Sequence, residues 1–298
     1  MKRFKGVLFL ILTVAIGFML TANETHAASK KVSLKLSSGA IYYGEVKNGK
    51  PHGKGTARWG KNKTYSGDWV NGKRSGSGKY VLKDDVTYGD VVEIITYTGS
   101  WKNDKQNGQG TLTRKIDESE TITGRSSIEK GTFANNQFKK GTSLSVIYDY
   151  YMFSYEDDTK YVHLITFEEN LNKVLSGKTG KDLITSVSYY KKKSNGLYEG
   201  YSYGYEPESS GANYSTGTYR KLVEPEYSYY TLYDGVYNTA SEGDYYTQEK
   251  YTSGKVSKSD SIYDPDKFYN TLNNNLAKRL PDIKPFLKTF ATVKKEIK

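Results

Sequence analysis

Cysteine is absent from this chain. Its absence excludes disulfides, thiolate metal sites, a cysteine nucleophile and a thiol-linked lipid anchor. Histidine is nearly absent, limited to His26, His52 and His163. His26 belongs to a leader described below, and two isolated histidines without thiols do not make a zinc site. His163 stands in Tyr161-Val162-His163-Leu164-Ile165, a strand-like context where a structural histidine is the expectation. Facing carboxylates are missing too. Asp84-Asp85, Asp157-Asp158 and Glu168-Glu169 are adjacent pairs, which a strand sends to opposite faces, whereas a glycosidase needs two carboxyls facing one sugar. The EF-hand spacing is lacking, and no Gly-x-Gly opens a helix after a strand as a phosphate loop would. No catalytic residue, metal or cofactor is therefore expected, and the chain reads as a non-enzyme.

What is present is a repeat. Tyr42-Tyr43-Gly44-Glu45-Val46-Lys47-Asn48-Gly49, closing on Gly53-Lys54-Gly55, returns as Tyr65-Ser66-Gly67-Asp68-Trp69-Val70-Asn71-Gly72, closing on Gly76-Ser77-Gly78. It returns again as Tyr97-Thr98-Gly99-Ser100-Trp101-Lys102-Asn103-Asp104, closing on Gly108-Gln109-Gly110. Aromatic residues at every second position share one face of a strand. Asn-Gly is the strongest short hairpin signal, because both central residues of a type I′ turn need positive φ. Glycine inside a strand weakens it, so these glycines need a reason, and space for a ring from a neighbouring hairpin is the expected one. Stacked rings would supply the core that a single hairpin cannot bury.

The pattern Tyr-x-Gly-x-aromatic-x-Asn-Gly followed by Gly-x-Gly resembles the MORN repeat family. The first two units follow it almost fully, with Val46 where an aromatic is usual, and the third has Asp104 in place of the turn glycine. A fourth, degenerate copy at Gly131-Thr132-Phe133-Ala134-Asn135-Asn136 lacks the leading tyrosine and the Gly-x-Gly. The resemblance covers roughly residues 41–113. It implies a mostly β, elongated antiparallel sheet of hairpin repeats. For function it implies a scaffold, since the family serves proteins of unrelated activity, with a proposed association with membranes.

The N-terminus reads as an export signal. Lys2, Arg3 and Lys5 precede an apolar run over residues 6–22, and Thr25-His26-Ala27 offers small residues for cleavage after Ala27. An uncleaved anchor is the alternative, because the run nearly reaches spanning length. An exported chain without disulfides fits a bacterial source. The net charge is +11, to which the leader adds little. Such a chain is drawn to anionic wall polymers or phospholipid heads, although scattered lysines also keep a β-rich protein soluble.

Four segments follow: a leader (1–27), hairpin repeats (28–142), a tyrosine-rich β region (143–262) and amphipathic C-terminal helices (263–298). Val32, Leu34 and Leu36 alternate in a lead-in strand, and residues 82–96 form a lengthened hairpin. Strands are expected at 143–153, 161–166, 184–191, 197–205, 217–222, 227–237 and 245–251, with a short helix at 168–175 closed by Gly177. Whether these strands extend the repeat sheet or form their own domain stays open, although Gly217-Thr218-Tyr219 and Tyr233-Asp234-Gly235-Val236-Tyr237 echo the repeat. At the C-terminus, Asp264-Pro265 starts a helix with Phe268, Leu272, Leu276 and Leu280 on one stripe. Pro281 is expected to break it before a second helix from about residue 284. These helices are expected to cap an open sheet end.

Tyrosine, with 29 copies, is the remaining candidate for function. The adjacent pairs Tyr189-Tyr190, Tyr229-Tyr230 and Tyr245-Tyr246 would point to both faces of a single-layer sheet, leaving some rings exposed for a ligand. The expected role is a non-catalytic, exported scaffold, extracellular or wall-associated, that binds wall glycan, an anionic polymer or a surface protein. The second reading is peripheral binding to anionic lipid through Lys288, Lys294, Lys295 and Lys298. An enzyme in residues 143–262 is the third and would need carboxylates that the pattern lacks. No nucleic-acid partner is expected.

Overall fold

Four two-residue turns set the register of the first half of the molecule. Asn48-Gly49, Asn71-Gly72, Asn103-Asp104 and Asn135-Asn136 all hold both residues at positive φ, between 50° and 83°, which is the type I′ geometry that matches strand twist. The computed structural model describes residues 31–85, 92–117, 125–178, 183–206, 211–224, 228–240, 246–262 and 264–297. The leader (1–27), Tyr245 and Lys298 lie outside the described residues. Among those described, no helix is long and apolar enough to cross a membrane.

The turns join β2 (Ile41–Lys47) to β3 (Lys50–Trp59), β4 (Lys63–Val70) to β5 (Lys73–Asp85), β6 (Val92–Lys102) to β7 (Lys105–Asp117) and β8 (Arg125–Ala134) to β9 (Gln137–Ile147). Ahead of them lies β1 (Val32–Lys35). After them come β10 (Tyr150–Glu156), β11 (Lys160–Phe167), β12 (Ser186–Lys192), β13 (Tyr198–Glu206) and β14 (Gly211–Val223). The last strands are β15 (Ser228–Ala240), β16 (Tyr246–Thr252) and β17 (Lys255–Ile262). Every strand pairs antiparallel with the strands before and after it in sequence. The result is one 17-stranded open meander, about 80 Å along its curve at roughly 4.8 Å per strand. Pairing of β10 with β9, Glu156 opposite Gly141 through Tyr150 opposite Ile147, carries the sheet from the repeats into the tyrosine-rich strands without a break.

A row of glycines crosses the repeat half. Gly44, Gly55, Gly67, Gly78, Gly99 and Gly110 stand opposite one another from β2 to β7. Gly131 and Gly141 continue the row into β8 and β9. Beside each of the first three hairpins a bulge follows the strand glycine, where Glu45, Asp68 and Ser100 drop out of register. The bulge leaves a carbonyl without its ladder partner, and a tyrosine hydroxyl supplies one. Tyr42 donates to the Glu45 carbonyl (2.6 Å), Tyr65 to Asp68 (3.0 Å) and Tyr97 to Ser100 (3.0 Å). Indole N–H groups do the same work, Trp69 to the Gly55 carbonyl (3.1 Å) and Trp101 to Gly78 (3.2 Å). Each indole stands edge-on between two tyrosines at 5.2 Å, Trp69 between Tyr42 and Tyr65, Trp101 between Tyr65 and Tyr97. Each such pair adds about 0.5–1.5 kcal/mol beyond burial. Phe133 of the degenerate fourth hairpin closes the series against Tyr97 at 5.1 Å.

The second core lies on the opposite face. Ile128, Leu144, Phe153, Leu164, Val187, Tyr203 and Tyr214 stand in register across seven strands and are buried under α1 (Glu168–Leu175) and α2 (Pro265–Glu296). Phe290 stacks on Phe153 (4.9 Å), Phe286 meets Tyr155 (5.0 Å) and Phe268 meets Tyr246 (4.6 Å). Tyr97 belongs to the alternate row, through Leu112, Glu129 and Ser143. Its ring therefore faces away from the helices.

Three sequence expectations are corrected. The C-terminus is one helix of 32 residues with Pro281 and Pro285 inside it. Each proline removes an N–H donor, but the stripe Leu276, Ile283, Leu287, Phe290 stays docked across both, and Tyr201 holds the Arg279 carbonyl at 2.9 Å. The helix lies across a sheet face, so it does not cap a sheet end. Among the described strands, β1 and β17 are the two edges, and β17 is an exposed, lysine-bearing strand of the kind that discourages edge pairing. The stretch 143–153 is two strands, turned at Tyr148 (φ 54°).

Candidate functional site

With one face under the helices, the opposite face is open. Among the described residues, one groove lies toward each end of it. The first, about 650 Å³, runs along the repeat hairpins and includes Trp59, Trp69, Lys50, Lys63 and Lys73. The Trp59 indole donates to the Ser38 hydroxyl (3.1 Å) and carries the Lys63 ammonium 4.9 Å above its ring. The one acid on its wall, Asp104, is engaged by Arg74. The Asp104 carboxylate accepts from the Arg74 backbone N–H (2.9 Å) and Nε (3.1 Å), and Nη2 donates to the Asp104 carbonyl (2.8 Å). That guanidinium also lies 4.5 Å from the Trp101 ring. Asp104 thus replaces the usual turn glycine while tying one hairpin to the previous one, and Asn136 repeats the device by accepting from the Gln106 N–H (2.8 Å).

The second groove, about 550 Å³, is built by a bulge. β14 and β15 change register between Thr218 and Tyr219, and their distal end turns across the open face. Tyr230 of β15 thereby reaches Tyr161 of β11 (4.8 Å) and Tyr190 of β12 (4.7 Å), strands that are not its neighbours in the sheet. Lys221 and Glu156 form an ion pair across the same gap. Tyr190, Tyr219, Tyr230, Tyr233, Tyr237 and Tyr251 line the groove, with Ser202, Ser215 and Asn213 between them and Arg220 and Lys255 at its rim. Burial, then the neighbouring Glu156 carboxylate, pushes the Tyr230 phenol up. Burial likewise raises Tyr190 and Tyr219, so these rings remain neutral.

Of the residues singled out in the sequence, Tyr42, Tyr65, Tyr97, Trp69 and Trp101 are buried in the repeat core. Burial pushes the Tyr97 phenol up to about 12, and burial with Glu45 does the same to Tyr42. Gly53, Gly76 and Gly108 lie opposite Trp69, Trp101 and Phe133. The tyrosine pairs divide. Tyr190 and Tyr230 reach the open face, while Tyr189 packs toward Tyr201 and Tyr246 is buried beneath Phe268. Tyr229, 37% exposed, points away from the groove. Tyr189 and Tyr190 point to opposite faces as expected, but the premise of a single-layer sheet is corrected, because α2 covers one face of this part of the molecule. Lys288 and Lys295 are exposed, and Lys294 lies 5.6 Å from the Tyr151 ring. The apolar stripe beneath them is spent on the sheet.

Tyr219, Tyr237, Tyr251, Arg220 and Lys255 were missed in the sequence. Their signal was the Gly-x-Tyr spacing of Gly217–Tyr219 and Gly235–Tyr237, which puts glycine and ring on one face. Gly200, Gly217 and Gly235 also stand in mutual register, a second stretch of the glycine row. His163 lies on the open face with Nδ1 buried and unpartnered, and burial holds its pKa down at about 4. Among the described residues, no three of His, Asp or Glu gather to hold a metal ion.

The fold and its glycine-and-ring packing define a β-hairpin repeat protein. The family model for the MORN repeat matches residues 42–64, 65–86 and 97–116, so the N-terminal hairpins of this chain are MORN repeats. Over 76 residues the chain is 42% identical to MORN repeat-containing protein 3 of Xenopus laevis, covering 24% of this chain and 32% of that protein. The chain thus spans about a third of the length of that curated relative. The β8–β9 hairpin lies beyond the matched segments yet keeps the same turn and ring geometry.

Proposed function

We propose that this chain is an exported, non-catalytic scaffold whose open sheet face binds an anionic polymer of the cell wall. One observation carries the reading: both grooves set aromatic rings beside cations that have no ion-pair partner among the described residues. These are Lys50, Lys63 and Lys73 in one groove and Arg220 and Lys255 in the other. Such a surface attracts polyanions over a distance and offers ring faces at contact. The basic, then apolar, then small-residue order of residues 1–27 supports export.

Co-sedimentation of residues 28–298 with wall sacculi and, separately, with anionic liposomes tests it. Pelleting with sacculi alone, weakening as salt rises, is the expected result, since screening acts on exposed charge. Failure to pellet with sacculi at physiological salt would remove the wall polymer and direct attention to a protein partner. Pelleting with liposomes alone would favour the lipid reading.

A further inference from the structure

We infer that the tyrosine groove is a saccharide site for sugar rings that carry an anionic substituent. The inference rests on the wall-polymer reading for its ligand and adds where and how that ligand is held. Among the described residues, no carboxylate lines the groove. That is unusual enough in a chain with 33 acidic residues to set the sign of what it accepts. The acids beside it are engaged: Glu156, next to Tyr230, pairs with Lys221, Asp234 accepts from the Ser253 N–H (2.8 Å), and Glu249 accepts from the Tyr251 hydroxyl (3.0 Å).

The chemistry of the wall is that of sugar recognition. Tyr237 and Tyr251 are half-buried and sit diagonally on β15 and β16. A pyranose face presents C–H groups of slight positive charge, which suit the negative face of a phenol ring. Ser202, Ser215 and Asn213 supply groups that both donate and accept, as sugar hydroxyls require. Ser202 shares a hydrogen bond with Ser188 (3.0 Å), and Ser215 accepts from the Tyr219 hydroxyl (2.9 Å), so the polar floor is already ordered. Arg220 is stacked on Tyr233 at 4.6 Å, which holds its guanidinium at the rim for a carboxylate or phosphate.

The groove is also preformed. The folded-over end of β14–β15 is fixed by the Lys221–Glu156 ion pair and by the Tyr230 ring between Tyr161 and Tyr190. A wall that is rigid before binding loses less entropy when the ligand arrives. Its volume, about 550 Å³, lies within the range of small-ligand sites.

Calorimetric titration of the purified protein at physiological salt would use a galacturonic acid hexamer, its uncharged methyl ester, phosphomannan fragments and inorganic polyphosphate. Binding by the hexamer or the phosphomannan, with the ester weaker and polyphosphate weaker still, is expected. The double variant Arg220→Gln, Lys255→Gln should weaken the acidic sugar about tenfold, the loss of one good charged contact, and leave the ester unchanged. Tyr251→Ala should weaken both. All three tryptophans, Trp59, Trp69 and Trp101, lie in the repeat half, so indole emission should stay constant while heat is released. Equal binding of ester and acid, polyphosphate as tight as either sugar, no binding at all, or a response confined to indole emission would each overturn the inference. Sacculus pelleting separates the two proposals. If the groove variants pellet as the wild type does, this site falls and the wall reading stands. If the sugars bind but sacculi do not, the site stands and the wall reading falls.

Discussion

A β-carbon on Gly78 would stand 2.3 Å from the phenolic oxygen of Tyr65, so this ring and this glycine occupy one space. Gly78→Ala should therefore cost about 3 kcal/mol, the upper end for overpacking, because both backbone and ring resist moving. Gly72 offers the contrast. It sits at φ +83° with its nearest contact at 3.9 Å, so Gly72→Ala meets only backbone strain of about 1 kcal/mol. Lys73→Ala should be near neutral. Thermal melts of the three proteins check the order, and equal losses would contradict the packing account.

Arg74 and Asp104 make a different kind of join, between hairpins. Arg74→Met removes the charged hydrogen bonds to Asp104 and should cost about 2 kcal/mol. Arg74→Lys should not restore it, since an ammonium cannot provide the forked donors or the flat contact with Trp101. Asp104→Gly should cost less than Arg74→Met, because relief at φ 69° offsets part of the lost bonding. Urea midpoints, followed by Trp101 emission, would report each.

The helix-covered half should respond most to α2. Phe290 is fully buried, and Phe290→Ala should cost about 3–5 kcal/mol, whereas Lys295→Ala on the exposed side should change stability little. A urea midpoint shift as large for Lys295→Ala as for Phe290→Ala would refute docking of this face.

His163 gives a pH signature. Its folded pKa is held at about 4 by burial, while an unfolded chain titrates near 6.5. Between those values the unfolded state binds more protons, so stability falls as pH drops from about 6.5 toward 4. His163→Gln should flatten that window. It should leave untouched the loss at lower pH from Asp157. There burial opposes the charge, but the hydroxyl and N–H of Thr159, with Tyr155 and the Lys160 N–H, outweigh it and pull the carboxyl down to about 2. Stability measured from pH 7 to 2 in both proteins separates the two groups.

What could be read in advance was local chemistry. Asn48-Gly49 specifies a turn, which holds, and the strand glycines do make room for a ring, but the ring is the hairpin's own tyrosine, Tyr65 over Gly67 and Gly78, and not one from a neighbouring hairpin. Helix α1 was legible from Glu168 to Gly177 for the same reason. Tyr148 carries no turn signature, so the break between β9 and β10 was invisible. Pro281 misled because docking on Phe153 and its neighbours, not local propensity, keeps α2 continuous. The tyrosine groove was hidden for a deeper reason. It depends on the bulge at Thr218 that carries Tyr230 over strands some 40 to 70 residues earlier, and no spacing rule encodes that fold-back.

The strictly sequential pairing of the strands has a mechanical consequence. Tension between residues 31 and 262 would load the outermost ladder first and open it rung by rung, since no distant strand shares the force. In the repeat half the joins among the described residues reach only from one hairpin to the next, through the ladders, the indole contacts and the turn-to-turn ties, so β1 to β7 would peel in succession. From β8 to β16 the long helix acts as a strap across the strands, anchored by Phe268 near one end and by Lys130 with Glu296 at the other. The same chain is thus an extensible segment joined in series to a stiff one.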